Sequence, residues 1–188
     1  MHTPVLSPRR LTGVAAIACA AALAPAAALA AAASPASTPN AGVPACQTSR
    51  LVVWMNQGNG AAGTVFYTLM FTNLSGHACT LDGRPGVSAV SLSGHQIGSP
   101  ANWGPPAAHP VRLANGATAY AVLQYSDVVT SNSGPRPCDP VMAAGLRVYP
   151  PDQTASKIVP IPLKACTSSV IYMGVRAIQR ALPPGQRS

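Results

Sequence analysis

The chain has 188 residues, of which 48% are hydrophobic, 9% charged and 5% aromatic, and its formal net charge is +8. Removing a leader of about 30 residues leaves enough chain for one domain, which excludes a multidomain organisation. The apolar content is concentrated in alanines near the N-terminus, and no later stretch approaches the ~18 uninterrupted apolar residues of a membrane span, so no transmembrane segment is expected in the mature chain.

Residues 1–30 read as a secretory signal peptide: Arg9 and Arg10 close a basic segment, an apolar run covers 11–23, and Ala28-Leu29-Ala30 supplies the small residues a signal peptidase needs. Leu11-Thr12-Gly13 lacks the apolar pair that follows a twin-arginine signal, which favours the general secretory route. The expected location is therefore secreted or extracellular. The alternative is a lipid anchor through Cys19, which follows Ala16-Ile17-Ala18 in a loose version of a lipoprotein box. Residues 31–45, rich in Ala, Ser and Pro and devoid of charge, read as a flexible linker.

Beyond residue 45, short runs of period-two alternation recur between Gly, Pro, Asn and Ser, and no dozen-residue window keeps a helical stripe. Residues 51–55 and 65–72 read as strands joined by the glycine-rich stretch 57–63. In the second of these, Val65, Tyr67, Leu69 and Phe71 share one face, as befits a central strand. Pro85-Gly86 suits a type II turn with Gly86 at positive φ. Ser93-Gly94 and Asn115-Gly116 are expected to close two further hairpins, 87–92 with 95–98 and 111–113 with 117–125. Residues 141–149 and 158–163 flank a turn at 150–154. Pro160 and Pro162, two apart, lack N–H donors towards the same neighbour, so their strand must be an edge. A last strand is expected over 169–175, and 176–188 as a basic, flexible tail. Eight or nine strands over residues 46–175 give an all-β, immunoglobulin-like, two-sheet antiparallel β-sandwich.

Cleavage of the leader removes Cys19 and leaves Cys46, Cys79, Cys138 and Cys166, an even number in an exported chain, hence two disulfides. Folding the first ribbon about Gly60 carries Cys46 towards the mid-seventies, near Cys79. Folding the second about Gln153 sets Cys138 opposite the region of Cys166. Nearest-neighbour pairing follows. Structural staples are favoured over metal or redox chemistry, because no CxxC or Cys/His ligand spacing is present.

The blocks Phe71-Thr72-Asn73-Leu74-Ser75-Gly76-His77-Ala78-Cys79, Pro85-Gly86-Val87, Leu113-Ala114-Asn115-Gly116-Ala117 and Gly145-Leu146-Arg147-Val148-Tyr149-Pro150-Pro151 together resemble the signature of the domain of unknown function 4232 family of secreted actinobacterial proteins. The resemblance spans nearly all of residues 46–175. It implies an exported or lipid-anchored β domain with two disulfides and carries no assigned activity. Asn115 stands where proline often precedes the glycine, which leaves a turn.

The residues themselves point away from catalysis. Asp82, Asp127, Asp139 and Asp152 all lie in or near turns, where short carboxylates cap local N–H groups, so a glycosidase pair is not expected. His77, His95 and His109 show no ligand spacing, and there is no GxSxG, HExxH or phosphate loop. No catalytic residue, cofactor or metal is assigned. The mature chain keeps a net charge of +6 once Arg9 and Arg10 are gone, but Arg50, Arg84, Arg112, Arg136, Arg147, Lys157 and Lys164 are scattered singly, without the basic stripe of a nucleic-acid binder. Trp54 is expected to be packed within its strand. Trp103, in a loop, is the candidate ligand contact, weighed against a role in plugging the sandwich end.

The function expected is an exported, non-enzymatic binding or structural module at the cell envelope or outside the cell. Its expected partner is an anionic envelope polymer or another exported protein. One alternative is a secreted protease inhibitor that presents the loop 131–137 anchored by Cys138. Another is a hydrolase with a site assembled from separate loops.

Overall fold

The computed structural model describes residues 42–127 and 138–180. The expected signal peptide, Cys19, most of the expected linker, the loop 131–137 and the last eight residues lie outside them. The described residues are all-β: twelve strands in three sheets, one 3-10 turn at Thr48–Arg50, and no α-helix.

Chain order follows the apolar alternation. β1 (Leu51–Met55) pairs antiparallel with β3 (Thr64–Asn73), between which β2 (Asn59–Ala61) doubles back on β3. The turn therefore sits at Ala62-Gly63, two residues beyond Gly60. The ladder Leu51↔Asn73 extrapolates Cys46 to Ala78, beside Cys79. β3 is central as expected, flanked by β1 and by β9 (Thr118–Ser126), and Leu69 and Phe71 are fully buried. The six-stranded sheet is completed by β12 (Met173–Val175) and β7 (Asn102–Trp103). The β12–β7 pair is parallel, a departure from the all-antiparallel expectation.

The second sheet orders β11 (Lys157–Cys166), β10 (Pro140–Tyr149), β5 (Gly86–Val90) and β6 (Gln96–Ile97). β11 is an edge, as Pro160 and Pro162 require. Leu146, Val148, Val87, Ala89 and Val159 turn inwards and join Leu69, Phe71, Ala121, Leu123 and Val175 of the larger sheet in one apolar cluster. Tyr125 spans the two sheets: its hydroxyl donates to the Lys164 carbonyl at 2.8 Å, and its ring meets Tyr172 edge-on with centroids 6.1 Å apart.

Three local expectations change. The Asn115-Gly116 turn does not close a hairpin: β8 (Val111–Leu113) pairs with β4 (Cys79–Leu81) in a third, two-stranded sheet, while β9 leaves to join β3. The cause is Asn73, fully buried at the end of β3, whose Nδ2 donates to the carbonyls of His77, Leu113 and Ala114 and whose Oδ1 accepts from Ser75 N. Gly116, at φ +80°, donates its N–H to the Asn73 carbonyl at 2.7 Å, so the turn is clamped to β3 instead of standing free. The last strand is only three residues long. Past it, Ala177 and Ile178 are buried and Tyr120 bridges to Gln179, so packing continues beyond residue 175. Finally, Ser93-Gly94 closes a three-residue connection rather than a two-residue one, with Ser91 N donating to His95 O and Gly94 at φ +80°.

Both expected disulfides are formed, Cys46–Cys79 and Cys138–Cys166, and all four half-cystines are buried.

Candidate functional site

A groove of about 530 Å³ opens where three connections meet: residues 82–86, 102–106 and 149–154. Each is held by identifiable bonds. In the first, the left-handed residue is Gly83 at φ +120°, not Gly86, which is already opposite Tyr149 in the β5–β10 ladder. Gly83 touches the third connection, where a Cβ on it would sit 3.4 Å from Pro151 Cβ, and its carbonyl accepts from Ile178 N at 3.0 Å. Tyr149 lies over Gly86, its ring within van der Waals range of where a Cβ would stand.

The second connection carries Trp103. Its neighbours are pinned on both sides, Ala101 N to Val87 O and Gly104 N to Val175 O, and Arg84 reaches across with Nε on the Gly104 carbonyl at 2.9 Å and Nη2 on the Pro106 carbonyl at 2.6 Å. Charge-assisted bonds of this kind are about twice as strong as neutral ones, so the guanidinium straps the Trp103 segment to the first connection. The Pro105-Pro106 bond inside this segment is cis. Trp103 itself is 67% exposed. It lines the groove and does not plug the sandwich.

In the third connection, Gln153 accepts at Oε1 from Thr48 N at 3.3 Å, while the buried Thr48 hydroxyl donates to Ala155 O at 3.1 Å. Asp152, at φ 56°, is exposed, as is Asp82. The groove thus gathers two of the chain's four acidic residues, and its lining includes one cation, Arg84, but no histidine.

The other singled-out residues lie elsewhere. His77, His95 and His109 are all exposed and scattered, and among the described residues no three His, Cys, Asp or Glu come together as a metal site. Trp54, expected to be packed, is 45% exposed on the outer face of β1, its Nε1 3.5 Å from Thr72 Oγ1. A five-residue edge strand with its even positions turned outwards cannot cover an indole on both sides. The loop 131–137 of the inhibitor reading falls outside the described residues. Sequence reasoning missed Arg84, Tyr149 and the meeting of Asp82 with Asp152. The available signal was two turns that each pair an aspartate with proline, at 82–86 and 149–154.

The family described as a domain of unknown function, DUF4232, matches residues 46–179, which covers every groove residue. The chain belongs to the DUF4232 family. No curated protein and no solved structure matches it. The matched segment of this DUF4232 chain ends at Gln179, the residue that bridges Tyr120, which agrees with packing that continues past β12. Two disulfides fit an oxidising, extracellular setting. Among the described residues of the DUF4232 domain no helix is long and apolar enough to cross a membrane.

Proposed function

We propose that this DUF4232 chain is an exported, non-enzymatic β-sandwich that binds a component of the cell envelope or its surroundings through the groove at Trp103. The observation that carries the reading is an indole two-thirds exposed on a groove whose three walls are tied to each other and to the core. An indole exposed on a concave wall offers a ligand a large apolar face, and walls already ordered spare it the entropy of immobilising them. The signal sequence, the linker and the two cross-links support export.

One observation favours a second reading, glycoside hydrolysis: Asp82 and Asp152 line the same groove. Such a mechanism needs one carboxylic acid kept protonated by an apolar setting, whereas both of these are exposed to water. That supports binding over turnover.

The test is retention of the oxidised mature protein on envelope fractions. Wild type should be retained and Trp103→Ala lost at least tenfold, with unchanged circular dichroism. Equal retention of the two proteins would overturn the assignment of the groove.

A further inference from the structure

Resting on the reading of the groove as the binding surface, we infer that its ligand is a glycan built from amino sugars, carrying free ammonium groups, and not an anionic polymer. The charge distribution argues this. Over the whole chain, basic residues outnumber acidic ones by twelve to four, yet two of those four acids line this one groove. The one cation of its lining has Nε and Nη2 already committed to the Gly104 and Pro106 carbonyls. The lining therefore sums to one net negative charge, two carboxylates against one guanidinium, on a basic body. A phosphate or carboxylate polymer attracted by the long-range field finds the one cation already turned to the Gly104 and Pro106 carbonyls, and an ammonium group finds exposed carboxylates that accept hydrogen bonds.

The remaining lining fits sugar rings. The C–H face of a pyranose packs on an aromatic plane, and the lining offers two such rings, Trp103 and the amphipathic Tyr149. Thr154 adds a hydroxyl, and the Asp82 and Asp152 carboxylates accept from vicinal hydroxyls as well as from ammonium. A volume of about 530 Å³ lies inside the range of about 300–1,000 Å³ typical of small-ligand sites, enough for a short oligosaccharide.

The experiment titrates the oxidised mature protein by tryptophan fluorescence and calorimetry with three probes: a glucosamine hexamer, its fully N-acetylated counterpart, and polygalacturonate. The glucosamine hexamer should bind most tightly, at least tenfold better than the acetylated one at low salt, and Trp103→Ala should weaken it at least tenfold. The double substitution Asp82→Asn/Asp152→Asn should erase the preference between the two hexamers while leaving the acetylated one unchanged. Trp103-dependent binding of polygalacturonate, or no preference for the free amine, overturns the ligand class but leaves the groove standing as a surface. Failure of all three probes together with equal envelope retention of wild type and Trp103→Ala removes both. Release of new reducing ends from either hexamer would replace binding by hydrolysis.

Discussion

The two cross-linked ribbons of this domain enclose nearly equal lengths of chain, with the paired cysteines 33 and 28 residues apart, yet they join different things. Cys138–Cys166 closes the end of a ladder of eight residue pairs between two ten-residue strands, with Pro140 directly opposite Cys166. Cys46–Cys79 instead joins the entry to β1 with the first residue of β4, a three-residue strand that belongs to another sheet. Around it the backbone adds little more than Cys46 N to Thr80 O and Thr80 N to Pro44 O. A covalent bond placed where the hydrogen-bonded ladder is long duplicates an existing constraint, whereas one placed where strands are short supplies the constraint itself.

Removing each bond in turn tests this most directly. The chain-entropy term is alike for both, about 3–4 kcal/mol, so that term alone predicts equal losses. We expect Cys46→Ala/Cys79→Ala to lose more than Cys138→Ala/Cys166→Ala in denaturant unfolding, with hydrogen exchange accelerated over 77–81 and 111–116 before the rest of the domain. Equal losses with uniform exchange would break the comparison.

Asn73→Ala sharpens it without touching a disulfide. The substitution leaves the carbonyls of His77, Leu113 and Ala114 and the N–H of Ser75 without their shared partner, and at ~1 kcal/mol for each of the three bonds that Nδ2 donates the loss should be about 3 kcal/mol. Its effect should concentrate on the β4–β8 sheet and spare the β10–β11 ribbon, which amide exchange would resolve residue by residue.

The smallest effect belongs to Tyr172. Its hydroxyl is buried and has no hydrogen-bond partner among the described residues, and burial, reinforced by the neighbouring Tyr125, pushes its pKa up to about 12. Since the folded state holds the proton more tightly than the unfolded one, stability is independent of this group below pH 10, falls between pH 10 and 12, and levels off above. The full loss is on the order of 2 to 3 kcal/mol. Tyr172→Phe should flatten that alkaline slope and, by removing an unpaired hydroxyl, leave stability at pH 7 unchanged or slightly higher. An unchanged slope in urea midpoints measured from pH 9 to 12 would refute the assignment.

Elements long enough to show their own period were legible in the sequence. Val65, Tyr67, Leu69 and Phe71 marked β3, Leu146 and Val148 marked the inner face of β10, and Pro160 with Pro162 marked the edge at β11. Both cysteine pairings followed from ribbon geometry, although the first fold lay at Ala62-Gly63 and not Gly60. What escaped were the short strands β2, β4 and β7, and the pairing of β8 with β4, because pairing at that length is decided by distant partners. Asn115-Gly116 carries a hairpin signal, but Asn73, some forty residues away, captures the turn. The groove escaped for the same reason. Asp82 and Asp152 each read correctly as turn residues, and only the apposition of Gly83 and Pro151 makes neighbours of them.

The proline-bearing margin of the smaller sheet has one more implication. A second copy approaching β11 side by side finds two positions, Pro160 and Pro162, that cannot donate to it, and the opposite margin, β6, offers just two residues of ladder. Lateral growth of this sheet is thus blocked on one flank and limited to two residues on the other.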